Sequence, residues 1–193
     1  MKVTKAQAQA NRAHIVETAS TLFRERGFDG VGVADLMAAA GFTHGGFYKH
    51  FGSKADLMAE SASCGFANSA EALASMDGAA FLGYYLSREH RDNPGQGCTM
   101  AALCSDAGRQ PTSVKQAFAA GIEAQLAGGQ GDQARVDATA AQGARAERIA
   151  LIAQAVGAIV LSRSCPDDSS LAEEILDVCR ADVQARLSGV PEA

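Results

Sequence analysis

An all-α fold is what this 193-residue sequence predicts, and three observations carry the prediction. Hydrophobic residues make up 47% of the chain and charged residues 20%, the balance of a chain that collapses around a core. Only four Pro and no Trp interrupt long Ala- and Leu-bearing stretches, which favours helix. No stretch alternates strictly between apolar and polar residues with turn residues at its ends, so a sheet has little to be built from. About nine helices are expected.

The first helix is marked by Ile15, Ala19, Leu22 and Phe23, an apolar stripe at helical spacing, with Gly27 as its stop. The loop Phe28-Asp29-Gly30-Val31-Gly32 follows. A second, short helix then begins near Val33 and buries Val33, Leu36, Met37 and Ala40. Gly41 permits the left-handed backbone of a tight turn, and Thr43 is placed to cap a third helix over about His44 to Phe51. That third helix has only Phe47 and Phe51 as core anchors. Its other positions, His44, Gly45, Gly46, Tyr48, Lys49 and His50, are polar or bare backbone. A fourth helix opens at Ser53-Lys54-Ala55-Asp56, a capping box, and runs through Met58, Ala62, Phe66, Ser69 and Leu73. Two short helices joined by a Gly turn, the second with an exposed polar face, have the architecture of a helix-turn-helix reader of DNA.

The charge distribution is compatible with that reading once the chain is divided. Residues 1–60 hold seven Lys/Arg against six Asp/Glu, for +1, while residues 61–193 hold ten against sixteen, for −6, so the acidity of the chain lies in the second part. The first 14 residues carry Lys2, Lys5 and Arg12 with no acid, which suggests a mobile basic arm on a near-neutral head.

The string from Arg12, Ile15, Ala19, Leu22, Phe23, Gly27 and Phe28 to Gly41-Phe42-Thr43-His44-Gly45-Gly46-Phe47-Tyr48-Lys49-His50-Phe51-Gly52-Ser53-Lys54-Ala55-Asp56-Leu57 resembles the N-terminal signature of the TetR/AcrR repressors. The resemblance implies a dimeric repressor on double-stranded DNA at a palindromic operator, released by a small-molecule effector of lipophilic character. By position it implies Thr43, His44, Gly45, Gly46 and Lys49 near base edges, and Tyr48, His50 and Lys54 on phosphates. The division it implies is 11–71 for the DNA-binding head, with the helix-turn-helix at about 34–53, and 72–193 for an effector-binding and dimerisation body.

In the body, Phe81, Tyr84, Tyr85 and Arg88 mark a fifth helix ended by Asn93-Pro94-Gly95. Gly97-Cys98-Thr99-Met100-Ala101-Ala102-Leu103 resembles a helix-6 opening that recurs in one part of the same family, and Val114, Phe118, Ile122 and Leu126 line a seventh helix after Pro111. Gly128 to Gly143 reads as a mobile connection with some helix in it. Two long helices close the chain, the first over about Ala144 to Ser164. From them, Ile152, Val156, Ile159, Val160, Ile175, Cys179 and Val183 are the expected dimer surface, as a four-helix bundle across a two-fold axis. Candidate effector-pocket residues are Phe66, Tyr84, Tyr85, Met100, Leu103, Cys104 and Phe118.

Other classes are disfavoured. No HExxH, GxSxG, P-loop or paired metal-ligand spacing is present, so no catalytic residue, metal or cofactor is expected. A small helical enzyme remains an alternative on paper, as does a thiol-based redox sensor built on Cys98 or Cys104. Neither cysteine has a basic neighbour close in sequence to lower its pKa. The longest nearly apolar run, Ile149 to Leu161, is too short to span a bilayer. The polar N-terminus and five unpaired-looking cysteines point to the cytoplasm, with no membrane partner.

Overall fold

The computed structural model describes residues 4–74, 78–127 and 138–187. Among them are nine α-helices and two short 3₁₀ segments, with no strand. In order these are α1 (Lys5–Arg26), α2 (Val33–Ala39), a 3₁₀ segment (His44–Lys49), α3 (Lys54–Ala74), α4 (Gly78–Tyr85) and α5 (Arg88–Asp92). A second 3₁₀ turn (Pro94–Gln96) leads to α6 (Thr99–Ala107), α7 (Thr112–Ala127), α8 (Ala138–Arg163) and α9 (Ser170–Leu187). No helix among the described residues is long and apolar enough to cross a membrane.

The chain divides into two compact units. One comprises the residues up to Ser69 together with Pro94–Gly121; the other is Ala70–Asn93 with Ile122 onward. The first unit therefore takes in α6 and most of α7, which the linear division at residue 71 assigned to the body.

In the first unit, α1 starts where the Thr4 hydroxyl accepts from Gln7 N at 3.1 Å. It stops at Gly27, whose φ of 75° is left-handed and whose N–H donates to Phe23 O at 2.8 Å. The expected basic arm is thus helical from Lys5, because a hydroxyl cap and a run of Ala and Gln favour helix there. Its buried side includes Ile15, Ala19 and Phe23, and Leu36, Met37, Phe47, Phe51 and Leu57 of the following elements are buried as well. Gly41 is the other left-handed residue, at φ 79°.

The second unit is a helical layer in which α8 and α9 lie along one another. Ser162 Oγ donates to Ala172 O at 2.9 Å, and Gln154 bonds the Asp182 carboxylate at 2.6 Å. The expected fifth helix is two, α4 and α5, because Ser87 steps out to extended backbone and caps α5 by accepting from His90 N at 3.2 Å. The penultimate helix begins earlier than expected, at Ala138. The rest of the expected connection, residues 128–137, lies outside the described residues, as do the side chains of Leu73 and Leu187.

Candidate nucleic-acid interface

The reading segment is the third helix of the sequence analysis, and it differs from expectation in kind. It is a 3₁₀ helix over His44–Lys49 rather than an α-helix reaching Phe51. Two glycines in succession forfeit helix stability, and Phe47 is the segment's one buried residue, so little holds a longer regular helix. Thr43 occupies the capping position without a side-chain bond; its carbonyl accepts from Gly46 N at 2.9 Å.

Around that segment the expected DNA-facing residues are all exposed or half-buried. Thr43, His44, Gly45, Tyr48 and Lys49 are exposed, and Gly46 and His50 are half-buried. Tyr48 is 70% exposed, yet the edge-to-face contact of its ring with Phe47, centroids 5.2 Å apart, gives the side chain a fixed base. Phe47 and Phe51 anchor the segment below, with their centroids 5.4 Å apart. The fold needs no glycine at 45, where a Cβ would meet nothing within 4 Å. At Gly46 a Cβ would make only ordinary contact with Met37, at 3.5 Å.

Lys54 stands apart from its companions. Its ammonium donates to Phe28 O at 2.6 Å and lies 5.9 Å from the Phe23 ring, so one of its three donors is spent inside the head. Arg12 was placed in the signature but given no role. It reaches across from α1 to the end of the reading segment, donating from Nε to His50 O at 3.2 Å. Its guanidinium grips the Glu60 carboxylate with both ends, one bond being 2.5 Å, and stands 4.6 Å above the Phe51 ring. The hydrogen bond to Glu60 holds its pKa above the ordinary arginine range.

Phe28 joins the head to α6 and α7. Its N–H donates to the Asp106 carboxylate at 3.0 Å, and its ring packs edge-on against Phe23 and Phe118, at 5.0 and 6.3 Å. Phe118 in turn meets Phe66 at 5.4 Å. On α1, Arg24 donates to Gly95 O at 2.6 and 3.1 Å and to Ser20 Oγ at 2.6 Å; burial lowers its pKa. The pairings of Arg12 with His50 and Glu60, of Arg24 with Gly95 and of Phe28 with Asp106 are not legible from spacing, since each partner is 38 or more residues away.

The effector candidates fall into two groups. Phe66, Met100, Leu103 and Phe118 are buried in the first unit, where Cys104 is exposed; Tyr85 is buried and Tyr84 exposed in the second. Protein packed round the Cys104 sulfur, with Cys98 near it, pushes that thiol up to about 11. Cys98 is itself buried. At that value Cys104 holds little thiolate at neutral pH.

Of the expected dimer residues, Ile159 and Val183 are fully buried against the chain's own helices, because α8 and α9 close on each other there. Ile152, Val156, Ile175 and Cys179 are half-buried and Val160 is exposed. Apolar surface remains on both helices at Ile149, Val160, Leu161, Leu171 and Val178.

Residues 15–60 match the profile of the bacterial regulatory proteins of the tetR family. The HTH-type transcriptional regulator AcrR of Shigella flexneri is 40% identical over 57 residues, which are 30% of this chain and 26% of that protein. The HTH-type transcriptional regulator TtgR of Pseudomonas putida is 44% identical over 55 residues, 28% of this chain and 26% of the relative. The similarity thus spans about a quarter of the length of these relatives. Among solved structures, a TetR-family transcriptional regulator from Agrobacterium tumefaciens superposes with a TM-score of 0.67 at 22% identity, covering 92% of this chain and 97% of that one. The reduced form of NemR from E. coli gives 0.67 at 20% identity, covering 91% and 95%. At such identities the likeness is one of fold.

Proposed function

From the match of residues 15–60 to the tetR family we propose that this chain is a regulator of that family, a sequence-specific DNA-binding repressor. The observation that supports this best is the exposed face from Thr43 to His50, polar or bare and mounted on buried Phe47 and Phe51. In this reading Thr43, His44, Gly45, Gly46 and Lys49 meet base edges, while Tyr48 and His50 meet phosphates. Lys54 contributes a phosphate contact with the donors that Phe28 O leaves free. Base edges carry the sequence information and phosphates the register.

Two copies act together, each placing one reading segment in the major groove, with half-sites about 34–36 Å apart on a palindromic operator. The apolar surface left on α8 and α9 is the proposed meeting face. Residues 11–71 serve as the DNA-binding part and 72–193 as the effector and dimer part. A small lipophilic effector releases the DNA by preferring a state in which the two heads are differently spaced; this step rests on the family resemblance. The protein works in the cytoplasm and is not an enzyme. Thiol sensing is the weaker reading, given the setting of Cys98 and Cys104.

Selection of duplexes from a random-sequence DNA pool by the full-length protein tests the proposal. Enrichment of a palindrome, with affinity falling steeply as salt rises, is expected. Absence of any sequence-selective enrichment at low salt would overturn it.

A further inference from the structure

The reading segment cannot hold its own orientation. It is six residues of 3₁₀ helix with one buried side chain and no side-chain bond from its capping residue. Arg12 reaches this end from α1. Its Nε donates to His50 O, its guanidinium covers Phe51, and both its ends are held by Glu60 of α3. A planar guanidinium bound to a carboxylate at two points fixes direction as well as distance. One side chain thereby ties together three elements: α1, the end of the reading segment and α3.

From these contacts we propose that Arg12 is a positioning residue for DNA recognition, setting the angle at which the reading segment presents the base-edge residues His44 and Lys49, with Glu60 as its orienting partner. The inference rests on the DNA-binding reading above. It differs from what a basic residue on a DNA-binding head would ordinarily suggest. The charge of Arg12 is already matched by Glu60 within the head, so its effect reaches DNA through His50 and Phe51 and not through a phosphate.

The two roles leave different marks. A phosphate contact contributes about 0.9 to the slope of log affinity against log salt, and serves operator and unrelated DNA alike. A positioning residue affects the operator alone and leaves the slope unchanged. The test uses the full-length protein with the duplex that it selects and an unrelated duplex of equal length. Arg12→Ala, Arg12→Lys, Glu60→Gln and the double variant Arg12→Ala/Glu60→Gln are compared with wild type across a salt series. Arg12→Ala is expected to weaken operator binding by about tenfold, with unrelated-duplex affinity and salt slope retained. Arg12→Lys keeps the charge but not the fork and shares the loss. Glu60→Gln falls in the same direction, and the double variant is no weaker than Arg12→Ala.

Equal loss on both duplexes, whether with a reduced slope or through a smaller folded fraction, would overturn the proposal; so would operator affinity unchanged in both single variants. Should Arg12→Ala fail to fold by circular dichroism, Glu60→Gln decides, and wild-type operator affinity in that variant overturns the proposal. A wild-type protein that selects no duplex defeats the regulator reading itself, a result distinct from all of these.

Discussion

At Gly45 the backbone is in an ordinary region and open space stands where a Cβ would be, so nothing inside the protein calls for glycine there. Gly27 is different: its φ is 75°, and a Cβ would stand 2.6 Å from Asp106 Oδ2. The contrast separates a glycine the fold requires from one it merely tolerates. Gly45→Ala should therefore stabilise the protein slightly, by about 0.4–1 kcal/mol, because it restricts the unfolded chain without straining the native one. The same methyl would stand between the backbone and the groove, and should lower operator affinity by roughly 1 kcal/mol or more, about fivefold. Thermal unfolding and a gel-shift titration measure the two effects. A variant that is more stable and binds as well as wild type would leave the bareness of Gly45 without a purpose at the interface. Sequence reasoning could name this residue but not make that distinction, which depends on the space around it.

Elements were legible where their stability is local and illegible where it is borrowed. α1 could be read from the stripe Ile15, Ala19 and Phe23 with its stop at Gly27, and both are as expected. The reading segment was placed correctly but given the wrong helix type, since Phe47 and Phe51 supply an i, i+4 pair whether or not the turns between them are α. α5 was merged with α4 because a five-residue helix has no period of its own. Contacts far along the chain sustain it: Arg91 donates to Ser162 O at 3.1 and 3.2 Å, and Arg163 donates to Arg91 O and His90 O, each at 2.8 Å. Within this knot the buried His90 bonds Tyr85 O through Nδ1 at 2.7 Å, which assigns the proton to that nitrogen. Burial pushes the His90 imidazole below its ordinary value, opposed by the bond to Tyr85 and reinforced by the charge of Arg163. The unfolded chain protonates His90 at about pH 6.5, the ordinary value of an imidazole, and the folded chain only at lower pH. Stability is thus full above that pH and declines as pH falls through it, until the folded imidazole also charges. His90→Asn keeps a donor and removes the titration. Urea midpoints at pH 7.5 and 5.5 should fall further for wild type than for His90→Asn. Equal falls would take His90 out of the acid response.

For the whole molecule, the question is what the apolar surface left on α8 and α9 is for. Leu171 and Val178 lie seven residues apart on α9, one stripe with Ile175 between them, and are 53% and 61% exposed. Ile159 and Val183 show where the chain's own packing is satisfied, so the outer stripe is surplus to it. Large apolar side chains on one helix face are costly to leave wet, and a second copy offering the same stripe covers both at once. In the dimer proposed above, Val178→Glu would bring two like charges to the meeting face while disturbing little within one chain, because the side chain is mostly outside it. The expected result is an unchanged unfolding temperature at low protein concentration with a halved mass by light scattering. Operator affinity should fall by about a hundredfold or more, since the second head would no longer be delivered at high effective concentration by the first. Binding to a single half-site should be nearly unaffected, which separates loss of assembly from damage to the reading face. If the mass stays at that of two copies and operator affinity holds, the copies meet through some other surface, and the exposed stripe on α9 serves a different partner.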